Sequence, residues 1–163
     1  MTGISDAYTL ICLVSTPQEL NTNKHSHTHT LFYPHYRIFE IAPETLGMFR
    51  FSKGFEAGSE EMYKSERFME HATGVIATVN TAVNMLAPDL DPLVEVLHAL
   101  GKKHAAYGAL PAHYAVVGRA LMDTLEKVLG DKFTSEVKTA WARIYDILST
   151  SMIEGAEGAY DSA

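Results

Sequence analysis

The sequence predicts an all-α domain, and three observations carry that reading. From about residue 65 onward, apolar residues recur every three or four positions, and no stretch alternates apolar and polar as a strand would. Residues that start and stop helices punctuate this pattern at regular distances. The chain has 163 residues, 47% hydrophobic and 20% charged, which suits one domain with a sizeable core.

The elements follow in order. Leu31 to Ile41 reads as an aromatic-rich helix, with Pro34 inside it expected to kink or delay it. Pro43 to Phe49 reads as a short helical turn, and residues 50–64 as a loop or fragmentary helix. Ser65 is a natural N-cap with Glu66 in the first turn. Behind it Phe68, His71, Val75, Val79, Ala82, Val83 and Leu86 form one stripe on a helix of about six turns. Ala87 to Pro92 is a loop, and Asp91-Pro92 opens a helix carrying Leu93, Val96, Leu97, Leu100 and His104. That helix stops near Gly108. Pro111 opens the next, with Tyr114, Val117, Leu121, Leu125 and Val128 on one side and Gly130 at its end. Thr134 caps the last, striped by Val137, Ala140, Trp141, Ile144, Tyr145, Leu148 and Met152. Residues 155–163 read as a flexible tail. The total is six or seven helices.

Composition excludes several function classes. Thirteen Lys and Arg against twenty Asp and Glu leave a net charge of −7, which argues against a nucleic-acid partner and an anionic membrane surface. No apolar run approaches the ~20 residues that span a bilayer. The apolar run Tyr8 to Val14 follows Asp6 rather than a basic flank, so a secretory signal is not expected. One cysteine, Cys12, cannot form an internal disulfide. Together these favour a cytoplasmic location.

Eight histidines are the unusual feature. His71 and His104 each interrupt an apolar stripe, on two different long helices. Each alone reads as an imidazole bonded to a backbone carbonyl at the core edge. If the helices face each other, both rings enter one cavity, where a planar metal-bearing cofactor takes an imidazole as axial ligand. Zinc is a poor alternative, because neither histidine has partners at the short paired spacings of a structural site. His25, His27 and His29 alternate, so an extended strand would put all three on one face for nickel or zinc. A solvated polar loop is the plainer reading.

At this point the residues resemble the globin family. Leu97-His-Ala-Leu-Gly-Lys-Lys-His104-Ala-Ala-Tyr-Gly108, with Pro111-Ala-His-Tyr114, looks like the helix carrying the proximal haem histidine and the turn after it. Ser65-Glu-Arg-Phe-Met-Glu-His71-Ala-Thr-Gly-Val75 looks like the segment with the distal histidine. Phe39-Glu-Ile-Ala-Pro43 followed by Met48-Phe49 is similar to the motif before the phenylalanine stacked on haem. Leu129-Gly-Asp-Lys-Phe-Thr134, with Trp141 and Tyr145, resembles the lead-in to the last helix. The likeness runs from about Leu31 to Glu154 in the right order. The twenty-two residue interval from Phe49 to His71 resembles neuroglobin and related ancient globins.

The resemblance implies a globin fold of six to eight helices around a haem pocket. The globin domain would span 29–154, with residues 1–28 an atypical segment or divergent first helix. Haem b (iron protoporphyrin IX) is the implied cofactor, with His104 as proximal and His71 as distal iron ligand. Phe49 would stack on the porphyrin, Val75 would line the distal pocket, and Leu100, Ala109, Tyr114, Val117 and Tyr145 would wall the cavity. Lys102 or Lys103 would pair with a propionate or stay solvated. The family's usual basic residue before the distal valine is Gly74 here, and the cysteine pair of some neuroglobins is absent. Either His35 or Tyr33 would occupy the distal position of the second helix.

The implied function is reversible binding of O2, CO or NO for transport or storage, sensing or redox signalling, with bis-histidine iron when no gas is bound. The alternative is an enzyme, a nitric oxide dioxygenase or nitrite reductase. That alternative needs a reductase partner, since the chain carries no flavin or nicotinamide motif.

Overall fold

The computed structural model describes residues 26–85 and 91–160. Its elements are α1 (Ser26–Ile41), 3-10 turns over Pro43–Met48 and Arg50–Ser52, α2 (Glu60–Lys64), α3 (Glu66–Met85), α4 (Asp91–Ala106), α5 (Pro111–Leu129), a third 3-10 turn (Gly130–Lys132) and α6 (Ser135–Tyr160). No strand occurs among the described residues. The readings of Tyr8 to Val14, Cys12, His25, Leu86 and the Ala87–Leu90 stretch lie outside the described residues.

Local chemistry explains most boundaries. The Ser65 hydroxyl accepts from the Phe68 N–H at 3.2 Å and starts α3. Ser59 does the same for α2 through Met62, and Thr134 accepts from the Val137 N–H to start α6. Pro111 occupies the first turn of α5, where the His113 Nδ1 accepts from the Leu110 N–H at 3.1 Å.

The end of α4 decides where His104 sits. Gly108 has φ +91°, a left-handed conformation that suits glycine. Around it the Ala109 N–H donates to the His104 carbonyl (3.0 Å) and the Gly108 N–H to Ala105 (2.8 Å). Those two bonds make a Schellman cap. Gly108→Ala is expected to cost about 1–2 kcal/mol through the left-handed penalty; an unchanged urea midpoint would refute the cap.

Two regions depart from the sequence reading. α1 begins at Ser26 and runs unbroken through Pro34. Pro34 removes one internal hydrogen bond, but packing holds the helix on both sides: His35, Ile38 and Ala42 are buried, and the Arg37 guanidinium donates to Asp123 of α5 at 2.6 and 3.1 Å. The backbone at His27 and His29 is helical, not the extended strand that the alternation of these histidines would need.

The second departure is the tail. α6 continues to Tyr160, so residues 155–160 are helix rather than a flexible tail. A Cβ at Gly155 would lie 2.3 Å from the His98 Cα. The glycine is a point of close backbone approach, and Ala156 beside it is buried.

The core has three parts. Leu125, Leu129 and Trp141 join α5 to α6. Leu93, Leu97, Tyr114, Met152 and Ala82 hold α4 between α3, α5 and α6. Phe51, Met62, Tyr63, Phe68 and Ala72 gather under the turns after α1. Among the described stripe residues, Val75, Val96, Val117 and Val128 remain more than a third exposed. No helix among the described residues is long and apolar enough to cross a membrane.

Candidate functional site

The site forms where α1, α3, α4 and the turn at Phe49 converge. On α4, the His104 Nδ1 lies 2.9 Å from the Leu100 carbonyl oxygen, one turn back. A carbonyl only accepts, so Nδ1 carries the proton and Nε2 presents its lone pair. This backbone bond fixes both tautomer and ring orientation, the usual support of a metal-binding imidazole. Tyr107 and Tyr114 flank the ring, each with its centroid 6.4 Å away.

His71 on α3 is half-buried, and burial pushes its imidazole below the ordinary range. The second cause is His104, near enough for its charge to add to the effect. The form so favoured is the neutral one that ligates metals. Its ring is caged by Phe51 (5.2 Å), Phe49 (5.4 Å) and His35 (5.0 Å).

Phe49 sits in extended conformation between two 3-10 turns, with its ring against Phe39 (5.3 Å) and Phe51 (5.1 Å). Tyr145 reaches from α6 and donates to the Tyr114 backbone carbonyl at 2.5 Å. Gly118 makes room for it, since a Cβ there would fall 2.5 Å from the Tyr145 ring. Burial raises both phenols well above their ordinary range. For Tyr114 the second cause is the Tyr160 phenol. Ala109 is buried next to the Gly108 cap and Leu100 is half-buried. Val75, Val117, Lys102 and Lys103 are exposed. Val75 lies four residues beyond His71 and so on the same face of α3.

The structure settles which residue of α1 faces this region. Tyr33 turns outward to α5, with the Lys127 ammonium 3.8 Å from its ring centroid. His35 is 5% exposed and enters the ring cluster. Phe51 and Phe68 are wall residues that the sequence reading did not assign to the site. For Phe68 the signal was its place on the His71 stripe; for Phe51 it was the Phe49-x-Phe51 spacing, obscured because residues 50–64 read as loop or fragmentary helix.

The globin family model matches residues 35–152. The chain belongs to the globin family. Among its relatives, the neuroglobin of Tetraodon nigroviridis is 35% identical over 136 residues, covering 83% of this chain and 82% of the relative. The neuroglobin of Danio rerio is 34% identical over 138 residues, 85% and 84% of the two chains, and that of Dissostichus mawsoni 33% over the same length and shares.

Family membership implies haem, and the residues of this globin suit it. His104 offers an anchored Nε2, and His71 offers a neutral imidazole from a facing helix. Aromatic rings of Phe49, Phe51 and Phe68 supply apolar surface that limits water.

Proposed function

We propose that this globin holds haem b between His104 and His71 and reversibly binds a diatomic gas such as O2, CO or NO. The observation that supports it best is the His104 Nδ1 bond to Leu100, which leaves Nε2 as a directed metal ligand. Bound haem would supply an iron that takes an imidazole from the protein and a diatomic gas.

The chain's residues divide the remaining work. His104 would hold the iron from α4, and Phe49 would pack against the porphyrin. His71, in its Nε2–H tautomer, donates a hydrogen bond to the gas. Such a bond to a polarised acceptor contributes about 1.5–3 kcal/mol, roughly ten- to a hundred-fold in affinity. In its other tautomer His71 offers Nε2 to the iron itself. Gas affinity then falls with the fraction of molecules in which His71 occupies the iron. Burial of His71 supports this reading, because it disfavours the imidazolium, which has no lone pair to offer. Val75, Leu100, Ala109, Tyr114, Val117 and Tyr145 wall the pocket, and Lys102 or Lys103 pairs with a propionate. A soluble cytoplasmic protein serving gas storage, sensing or redox signalling is the role this chemistry suits.

The anaerobic ferrous absorption spectrum tests this. Two sharp visible bands are expected, collapsing to one broad band in His71→Leu. One broad band in the unaltered protein overturns the bis-histidine state. Absence of a Soret band after haem addition overturns the haem assignment itself.

A further inference from the structure

A cavity of about 450 Å³ lies between α5 and α6 and opens to solvent. That volume falls within the range of small-ligand pockets. The cavity shares Tyr114 and Tyr145 with the candidate site, but neither His71 nor His104 lines it. Its shape follows from the helical period. Ala115, Gly118, Arg119 and Met122 recur at three and four residues and so share a face of α5. Ala142, Tyr145, Asp146 and Ser149 do the same on α6. The Tyr145 ring takes the space over Gly118, and its hydroxyl is tied to the Tyr114 carbonyl. One turn earlier on each helix, Ala115 and Ala142 carry only methyl groups, which leaves the groove unfilled.

The groove joins two unlike charges to an apolar surface. Arg119 on α5 and Asp146 on α6 both line it, and both are exposed. They are not paired with each other, and among the described residues neither takes part in an ion pair. Either charge alone would be an ordinary solvated side chain. Together, on two helices and over one cavity, they complement a ligand that carries both signs. The Tyr145 ring and the Met122 thioether add the kind of surface on which an aromatic ring packs well.

We infer that this groove binds a small aromatic zwitterion, of the class of a free aromatic amino acid. The ligand carboxylate meets the Arg119 guanidinium, whose forked N–H groups match two oxygens. The ligand ammonium meets the Asp146 carboxylate, and the ligand ring packs on Tyr145 and Met122. This site is separate from the iron position and does not depend on which histidines hold it.

Calorimetric titration of the haem-loaded chain with L-phenylalanine tests this. Saturable binding is expected with a Kd of about 0.1–1 mM, the scale for so small a ligand, and the Soret band should not move. Arg119→Gln and Asp146→Asn should each weaken binding about three- to tenfold, the scale of one charge-assisted contact at an exposed site. Blocked probes separate the two partners. N-acetyl-L-phenylalanine lacks the ammonium, so Asp146→Asn should not affect it. L-phenylalaninamide lacks the carboxylate, so Arg119→Gln should not affect it. On the unaltered chain each blocked probe should bind about as weakly as L-phenylalanine does to the matching variant. Ala142→Trp, which fills the groove from an exposed position, should abolish binding. Absence of saturable heat overturns the inference, as does binding that both charge variants leave unchanged. A shifted Soret band would put the probe at the iron and overturns it too. So does a dimer in sedimentation that Ala142→Trp breaks, since the groove would then belong to a second copy. Circular dichroism melts identify a variant that fails to fold, and the blocked probes on the unaltered chain then decide. A chain that takes up no haem refutes the haem reading alone, and the same probes and variants still judge the groove.

Discussion

Gly101→Ala is expected to lower the stability of the haem-free protein by about 3 kcal/mol, the upper part of the range for overpacked cores. A Cβ at position 101 would lie 1.9 Å from the Met152 carbonyl oxygen and 2.7 Å from its carbon. Both are backbone atoms of α6, so no side-chain rotation relieves the clash and the helices must separate. Three residues away on each helix the reciprocal contact, His98 against Gly155, meets the same limit. A separation at one point therefore loosens both. At roughly 2–4 °C per kcal/mol for a chain of this size, the midpoint should fall by about 6–12 °C. Gly74→Ala is the internal comparison. It also sits within a helix, but nothing lies within 4 Å of its Cβ, so it should gain about 0.5–1 kcal/mol. Thermal melts of the two variants check this, and equal shifts would refute the close-approach account. The effect extends to function because His104 follows Gly101 by three residues, on the same side of α4.

That crossing also shows what one sequence reveals. Ser65, Thr134, Pro111 and Gly108 were legible because each boundary depends on chemistry within a few residues. The helix through residues 155–160 was not legible, because the contact that holds Gly155 lies on another helix, at His98. Pro34 was misjudged for a similar cause: propensity describes an isolated helix, and α1 is held by Asp123 and Lys127 of α5. The same tertiary contacts set the rotation of α1. That is why counting along the chain left His35 and Tyr33 undecided, whereas the packed structure turns only His35 inward.

The candidate site divides the same way. His71 and His104 could be singled out because a polar residue breaking an apolar stripe is visible in the helical period. What surrounds each ring is a property of packing: Phe49, Phe51 and His35 cage His71, and Tyr107 and Tyr114 flank His104. Phe51 had no helical stripe to mark it. Its place in the cage follows from two consecutive 3-10 turns that bring it beside Phe49 and Phe68.

His104→Ala should cause the larger functional loss, lowering haem affinity by more than about a hundredfold. The reasoning starts from the anchoring bond. Losing only an outer hydrogen-bond partner of a ligating imidazole typically costs 10–100-fold, and this variant removes the ligand together with its bond to Leu100. The remaining imidazole, His71, cannot substitute fully, because it sits against Phe49, Phe51 and His35 rather than on a backbone carbonyl. Adding free imidazole should recover haem binding, since the truncated side chain leaves space for a ring next to Tyr107 and Tyr114. His71→Leu makes the contrast: haem should be retained, with one axial position vacated and the spectrum changed. Haem transfer to an acceptor apoprotein measures both losses. Retention of haem with unaltered axial coordination in His104→Ala would show that the iron is held from elsewhere, and the assignment of the two histidines would have to be reversed.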